Sequence, residues 1–291
     1  MRNTILLLLF LANTALLFAQ PDNFDQMFHP QTEDEIAVMK KSAQKTVALY
    51  FESIYAADTG KVLNKLKKYD DEGRLTYNQD YSNHITISYA YDKKGRVVEY
   101  KEDNKAQSQL LHFTVTYSKR GAIEGVVNRA ERGKSVSYNA NTKTLLISDM
   151  GGFIYRYTLN DDNQLVKVAL EYYQSRPYTA ELMYNKKGQL ETIKGTREEG
   201  EDMINFVTSY TYTGKLLSQE EENKTIPYFN NTKKSRTTAY TYTNGLLSRK
   251  VKTTPEETTV YELFYDENER ITQMNYLENE TLTATLYYEY R

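Results

Sequence analysis

Tyr69-Asp70-Asp71-Glu72-Gly73-Arg74-Leu75 and, further on, Tyr91-Asp92-Lys93-Lys94-Gly95-Arg96-Val97 are the stretches that decide how this chain folds. Each runs aromatic, carboxylate, two polar residues, glycine, cation, aliphatic. An Asp at the first turn position accepts hydrogen bonds from backbone N–H groups two or three residues on. A Gly three positions later takes the positive φ that a type I turn followed by a bulge demands. Asp70, Gly73, Asp92 and Gly95 are therefore turn residues. That reading is simpler than a catalytic or calcium-binding role for Asp70 and Asp92, because Asp is the ordinary choice at a turn start.

The same unit recurs along the chain. Tyr117-Ser118-Lys119-Arg120-Gly121 and Tyr184-Asn185-Lys186-Lys187-Gly188-Gln189-Leu190 are close copies. Looser ones begin at Tyr138, Tyr157 and Tyr265, the last with Glu269 in place of the Gly. Two copies have shortened turns, Tyr212-Thr213-Gly214-Lys215-Leu216 and Tyr242-Thr243-Asn244-Gly245-Leu246. Asn244-Gly245 is the type I′ signature of a two-residue hairpin. Tyr290 closes the series. Between the turns the sequence alternates. Leu111, Phe113, Val115 and Tyr117 oppose His112, Thr114 and Thr116; Ile85, Ile87, Tyr89 and Tyr91 oppose His84, Thr86 and Ser88. One aromatic and apolar face against one polar face is the pattern of an antiparallel sheet wet on one side.

A hairpin per unit predicts about 18–20 strands of ordinary length. Strand twist of roughly 20–25° per neighbour forces so long a sheet to coil or close. The predicted fold is all-β: a long antiparallel meander of tandem β-hairpin repeats, curled into an open spiral or barrel-like sheet, with one short N-terminal helix. Tyrosines in register at strand ends predict a packing ladder whose hydroxyls reach water or a turn.

Three segments divide the chain. Residues 1–19 read as a signal peptide, with Arg2, an apolar core from Ile5 to Ala12 that resumes from Ala15 to Phe18 after Asn13 and Thr14, and cleavage after Ala19. Residues 20–45 carry a short helix, which Thr32 and Glu35 open as a capping box. Residues 46–291 form the repeat domain. Two stretches break its rhythm and are expected as loops: the charged Arg197–Asp202, and Ser218–Lys234 with its Glu220-Glu221-Glu222 run. In the second, Tyr228 and Phe229 are candidate exposed binding residues; the plainer alternative is an extended hairpin.

Composition closes off several functions. The 291 residues include 27 Tyr, no Trp and no Cys, with 37 basic against 39 acidic side chains. Disulfide scaffolds and cysteine-ligated metal sites are impossible. The balanced charge leaves no footprint for nucleic acid. His29, His84 and His112 form no metal-binding pair at helical or strand spacing. No nucleophile elbow, phosphate loop or zinc-protease motif occurs, and Gly151-Gly152 precedes a strand rather than a helix. No cofactor, metal or transmembrane helix is expected in the mature chain.

The Tyr69–Leu75 and Tyr91–Val97 units resemble the YD repeat of Rhs-type proteins, and the chain is similar to short secreted YD-repeat-like proteins of Bacteroidetes, which share the Phe18-Ala19-Gln20 signal end. The resemblance covers most of residues 60–291. It implies a shell-like β scaffold and supplies no enzymatic residues. The leading expectation is an exported, non-enzymatic scaffold, periplasmic or secreted, that binds a protein or glycan. The alternatives are an envelope hydrolase using loop carboxylates and an outer-membrane β-barrel. Against the barrel stand charges within several strands and a mean hydropathy of −0.70.

Overall fold

A computed structural model describes residues 27, 31, 33–53, 60–149, 151–172, 175–199, 202–226 and 232–291. Among the described residues a helix, α1 (Glu33–Lys41), precedes twenty strands. The first seven are β1 (Thr46–Ser53), β2 (Val62–Tyr69), β3 (Leu75–Asp80), β4 (Ile85–Tyr91), β5 (Val97–Asn104), β6 (Gln109–Tyr117) and β7 (Ile123–Asn128). Then come β8 (Ser135–Asn139), β9 (Thr144–Ser148), β10 (Phe153–Leu159), β11 (Leu165–Tyr172), β12 (Ser175–Tyr184), β13 (Leu190–Glu199) and β14 (Asp202–Thr213). The last six are β15 (Leu216–Ile226), β16 (Thr232–Thr243), β17 (Leu246–Thr253), β18 (Thr258–Tyr265), β19 (Ile271–Glu278) and β20 (Thr281–Tyr290).

Each strand pairs antiparallel with its sequence neighbours, as a meander requires, except at the step from β7 to β8, where no pairing occurs among the described residues. β1 pairs on both sides, with β2 and with β20, so the first and last strands of the meander meet. The sheet is a nearly closed barrel with a single seam. Closure removes edges that would otherwise template aggregation.

The predicted turns form one rim. Asp70 N–H donates to Arg74 O at 2.9 Å and Gly73 N–H to Asp70 O at 3.0 Å; the turn at Asp92 repeats both bonds at 3.0 Å. Gly73 (φ +81°) and Gly95 (φ +78°) occupy the left-handed position, and Asn163 and Glu269 hold it in the looser copies at +60° and +62°. A register slip accompanies these turns, as between Lys68 and Tyr69, and such a bulge disturbs the ladder beside it. The tyrosine ending the next hairpin repairs the loss. Tyr91 donates its hydroxyl to Leu75 O at 2.6 Å, Tyr117 to Val97 O at 2.8 Å, and Tyr184 to Leu165 O at 2.8 Å. Tyr212, Tyr242, Tyr265 and Tyr290 do the same to Leu190, Leu217, Leu247 and Ile271 at 2.8–3.1 Å.

The arginine of the motif joins the ladder. Arg96 pairs with Asp92 of its own turn at 2.5 Å, and its guanidinium lies 4.4 Å from the ring centre of Tyr117 in the next hairpin. Arg74 over Tyr91 and Arg270 over Tyr290 repeat the arrangement at 5.0 and 4.7 Å. Each motif thus ties its own turn and reaches the following one.

α1 closes this rim. Met39 packs against Val47 and Leu49 with Tyr69, Tyr288 and Tyr290 around them. A Cβ on Gly73 would collide with the backbone of Ile36 and Lys40, so only glycine lets the helix sit on the first turn. Thr32, the expected cap, lies outside the described residues, as does the 1–19 segment.

Of the two expected loops, Arg197–Asp202 is strand in its described residues, and 218–234 takes the plainer reading, an extended hairpin. β13 runs to Glu199 and β14 starts at Asp202, while β15 and β16 extend through most of 218–234. The charges that suggested loops are cross-strand partners: Arg197 reaches Glu222 at 3.1 Å and lies 4.9 Å from the centre of the Phe206 ring. His84, expected on a strand face, sits in the β3–β4 turn at φ +55°.

Candidate functional site

Residues facing each other across a ladder share a face of the sheet, so the register maps the barrel's inner wall. From β4 to β14 that wall is apolar. Phe113 and Val168 are fully buried, and Tyr100, Tyr157, Leu145 and Val97 nearly so. Tyr100 stacks on Phe113 at 5.3 Å and meets Tyr89 edge-on at 5.6 Å. Polar groups interrupt this sector in places; at one of them Tyr100 donates to Glu102 at 2.7 Å, with buried Lys134 3.6 Å from the same carboxylate. Burial pulls the Lys134 ammonium below its usual range, and Glu102 and Asp149 oppose that.

Beyond β14 the same face changes character. Phe206, Thr208 and Tyr210 oppose Lys224, Glu222 and Glu220 on β15. Glu222 and Glu220 oppose Arg236 and Thr238 on β16, and Thr238 and Tyr240 oppose Lys252 and Lys250 on β17. Lys252 and Lys250 oppose Thr259 and Tyr261 on β18, and Tyr261 opposes Tyr276 on β19. These positions hold Leu, Val and Phe in the other sector. Here they hold acids, bases and tyrosines.

Glu222 is the centre of the network. It is 3% exposed. Arg197 approaches its Oε1 at 3.1 Å, and Lys224 and Arg236 stand 3.6 and 3.7 Å from Oε2. Arg236 also pairs with Glu220 at 3.2 Å, to which Tyr240 donates at 3.3 Å. Glu222 Oε2 and Arg236 Nε are buried with no hydrogen-bond partner among the described residues. An unsatisfied buried polar atom costs about 1–3 kcal/mol, so these two atoms are sites where a donor and an acceptor are wanted.

Beside the network lies an aromatic strip. Tyr261 and Tyr276 are 5.3 Å apart, and Lys250 stands 5.6 and 5.7 Å from the Tyr240 and Tyr261 rings. Among the described residues neither Lys250 nor Lys252 has an acid within ion-pair distance, and both are half-buried. Burial, then the Glu278 carboxylate that takes its hydrogen bond at 2.9 Å, pushes the Tyr276 hydroxyl up to about 12.

The residues singled out from sequence fall elsewhere. Asp70, Gly73, Asp92, Gly95 and Gly188 lie in the turns of the α1 rim, the Asp70 carboxylate accepting Arg74 N–H at 2.8 Å. Asn244 and Gly245 both have positive φ, at 54° and 83°. Tyr228 and Phe229 lie outside the described residues. His112 bonds Glu99 across the outer face at 2.7 Å. No cluster of metal-ligating residues forms among the described residues. Gly152 (φ +86°) belongs to a further Asp149-led turn. A polar groove of about 390 Å³ also lies over β11–β14, lined by Lys167, Glu181 and Lys194, where the backbone of Thr179 leaves Gly195 no room for a Cβ.

The chain matches no protein-family model and no curated protein. Among solved structures it is similar to a porin-like protein from Bacteroides uniformis, at 14% identity over 85% of this chain and 96% of that one, with a TM-score of 0.42. A porin-like protein from Bacteroides vulgatus follows at 12% identity over 64% and 95%, TM-score 0.37. A chain of the TcdB2–TccC3–Cdc42 complex matches at 11% identity over 80% of this chain and 16% of that one, TM-score 0.29. At these scores none assigns a function. What fold and wall together define is a barrel-shaped, twenty-strand β protein whose interior is half hydrocarbon and half polar.

Proposed function

We propose that this is an exported, non-enzymatic binding scaffold of the cell envelope or exterior, and that its partner is a glycan held on the polar sector of the inner wall. The observation that carries the reading is the change of side-chain chemistry along one continuous face at β14/β15. A barrel needs only apolar side chains there, and burying Glu222 and its arginines is costly without a use. Tyrosine faces beside fixed charges suit a sugar, which presents an apolar ring face and polar edges. Both central carboxylates are held by arginine, which orients them. The ladder of turns supports the YD-repeat reading of the scaffold.

A lipid-inserted barrel is the competing reading, and the meeting of β1 with β20 suits one. Its outer face requires an apolar band roughly 25 Å tall. The outward positions instead carry Lys101 and His112 opposite each other on β5 and β6, and Arg156 beside Glu171 on β10 and β11. Screening the mature chain against a glycan array, with Tyr261→Ala in parallel, tests the proposal. Saccharide binding that the variant loses is expected. An array without hits, or recovery of the protein with outer-membrane pellets after high-salt washing, removes it.

A further inference from the structure

We infer that the ligand of the polar wall is an acidic saccharide, one bearing a carboxylate or sulfate; the inference rests on the glycan reading above. Two sets of groups on this wall are incomplete in ways that differ chemically. Among the described residues Glu222 Oε2 lacks a donor and Arg236 Nε lacks an acceptor. A hydroxyl group is both at once, and polyhydroxylated rings offer several side by side. Lys250 and Lys252 are a separate case. They point to the same face as Glu220 and Glu222, one strand beyond Arg236. Unlike Lys224 and Arg236, they have no carboxylate within reach among the described residues. Two half-buried, unneutralised ammonium groups repel each other and favour an anion from outside.

The aromatic strip fixes where the ring of such a ligand sits. Tyr261 is opposite both Lys250 and Tyr276 in the register. A sugar stacked on Tyr261 therefore holds its edge substituent beside the lysines and its hydroxyls toward β15. The carboxylate of a uronic acid and the sulfate of a sulfated sugar present the same chemistry to a lysine pair, both being delocalised oxyanions.

The test is calorimetric titration of the mature full-length chain with three oligosaccharides of equal length: an oligogalacturonate, which carries carboxylate alone, a carrageenan fragment, which carries sulfate alone, and a neutral malto-oligosaccharide. At least one acidic probe is expected to bind roughly tenfold or more tightly than the neutral one, with affinity falling as salt rises. Lys250→Gln and Lys252→Gln are each expected to weaken that probe by roughly tenfold, and the neutral one by clearly less. Lys101→Gln, on the outer face, is the control and keeps full affinity. The two acidic probes separate carboxylate from sulfate. Equal binding of the neutral and acidic probes overturns the inference and leaves the glycan reading standing. Absence of binding by all three, alongside a neutral hit on the array, also overturns it. Circular dichroism confirms that each variant is folded.

Discussion

Two arcs of one sheet, β4–β14 and β15–β20, are built from the same turns, the same tyrosine ladder and the same alternation, yet their interiors differ. In the first arc Phe113, Tyr157 and Val168 fill the barrel and are almost wholly buried. In the second, the same register positions carry Glu222, Arg236, Lys252 and Tyr261. The rim sets the architecture; the inner face decides use. A scaffold that is fastened at its turns does not need a hydrocarbon core all the way round.

The contrast breaks first at the core. Tyr157→Ala is expected to destabilise by about 3–5 kcal/mol, the usual range for emptying a large aromatic site. Thr238→Val, on the other arc, is expected to change stability by less than about 1 kcal/mol. Chemical denaturation compares the two. If both lose equally, the arcs are not different in kind.

The rim sharpens the comparison. Gly73 and Gly95 have nearly the same φ, but only Gly73 is pressed against α1; nothing lies within 4 Å of a Cβ on Gly95. Gly95→Ala is expected to cost about 1–2 kcal/mol of left-handed strain, and Gly73→Ala more, with α1 displaced. Thermal melts and limited proteolysis of residues 33–41 read the difference. Removing a ladder bond is a smaller effect. Tyr117→Phe and Tyr242→Phe, one from each arc, are each expected to cost about 1 kcal/mol. Equal losses mark the ladder as common to both arcs.

Smallest is a pH effect. Burial raises the Asp92 carboxyl, but the hydrogen bonds from the Arg96 side chain and backbone and from Lys94 N–H outweigh it and hold the group below its usual range. Its folded pKa is depressed, so its contribution is present above the unfolded value of about 3.9 and fades as pH falls through the folded one. Asp92→Asn is expected to be less stable than the parent at pH 7, with the gap closing below about pH 4. Asp266, held down against burial by Arg270, behaves alike. A gap that widens in acid contradicts this assignment.

The rim was legible in the sequence because its signals are local. Asp70, Gly73 and Arg74 are close in the chain and specify a turn without help from anywhere else. The strands of the first arc were legible because Leu111, Phe113 and Val115 alternate against polar residues. The second arc hid its register. Ser218 to Ile226 is polar on both faces, so the period of two disappears, and Glu220-Glu221-Glu222 reads as a solvated run. Only the pairing of Tyr210 with Glu220 reveals that Glu220 and Glu222 face inward while Glu221 faces out. The tyrosine bonds to Leu75 and its equivalents were half visible: the residue types recur, but the bond joins different hairpins, and no spacing within one unit encodes it.

The absence of cysteine from the chain makes the central claim directly measurable. Single cysteines at Lys252 and Tyr261 in the second arc, and at Phe113 and Val168 in the first, report whether water reaches each interior. The rate at which a small charged thiol reagent labels them in the folded protein is the decisive quantity. Lys252→Cys and Tyr261→Cys are expected to react under native conditions, and Phe113→Cys and Val168→Cys only after unfolding. Four sites that stay equally silent, or react equally fast, contradict a barrel with two interiors.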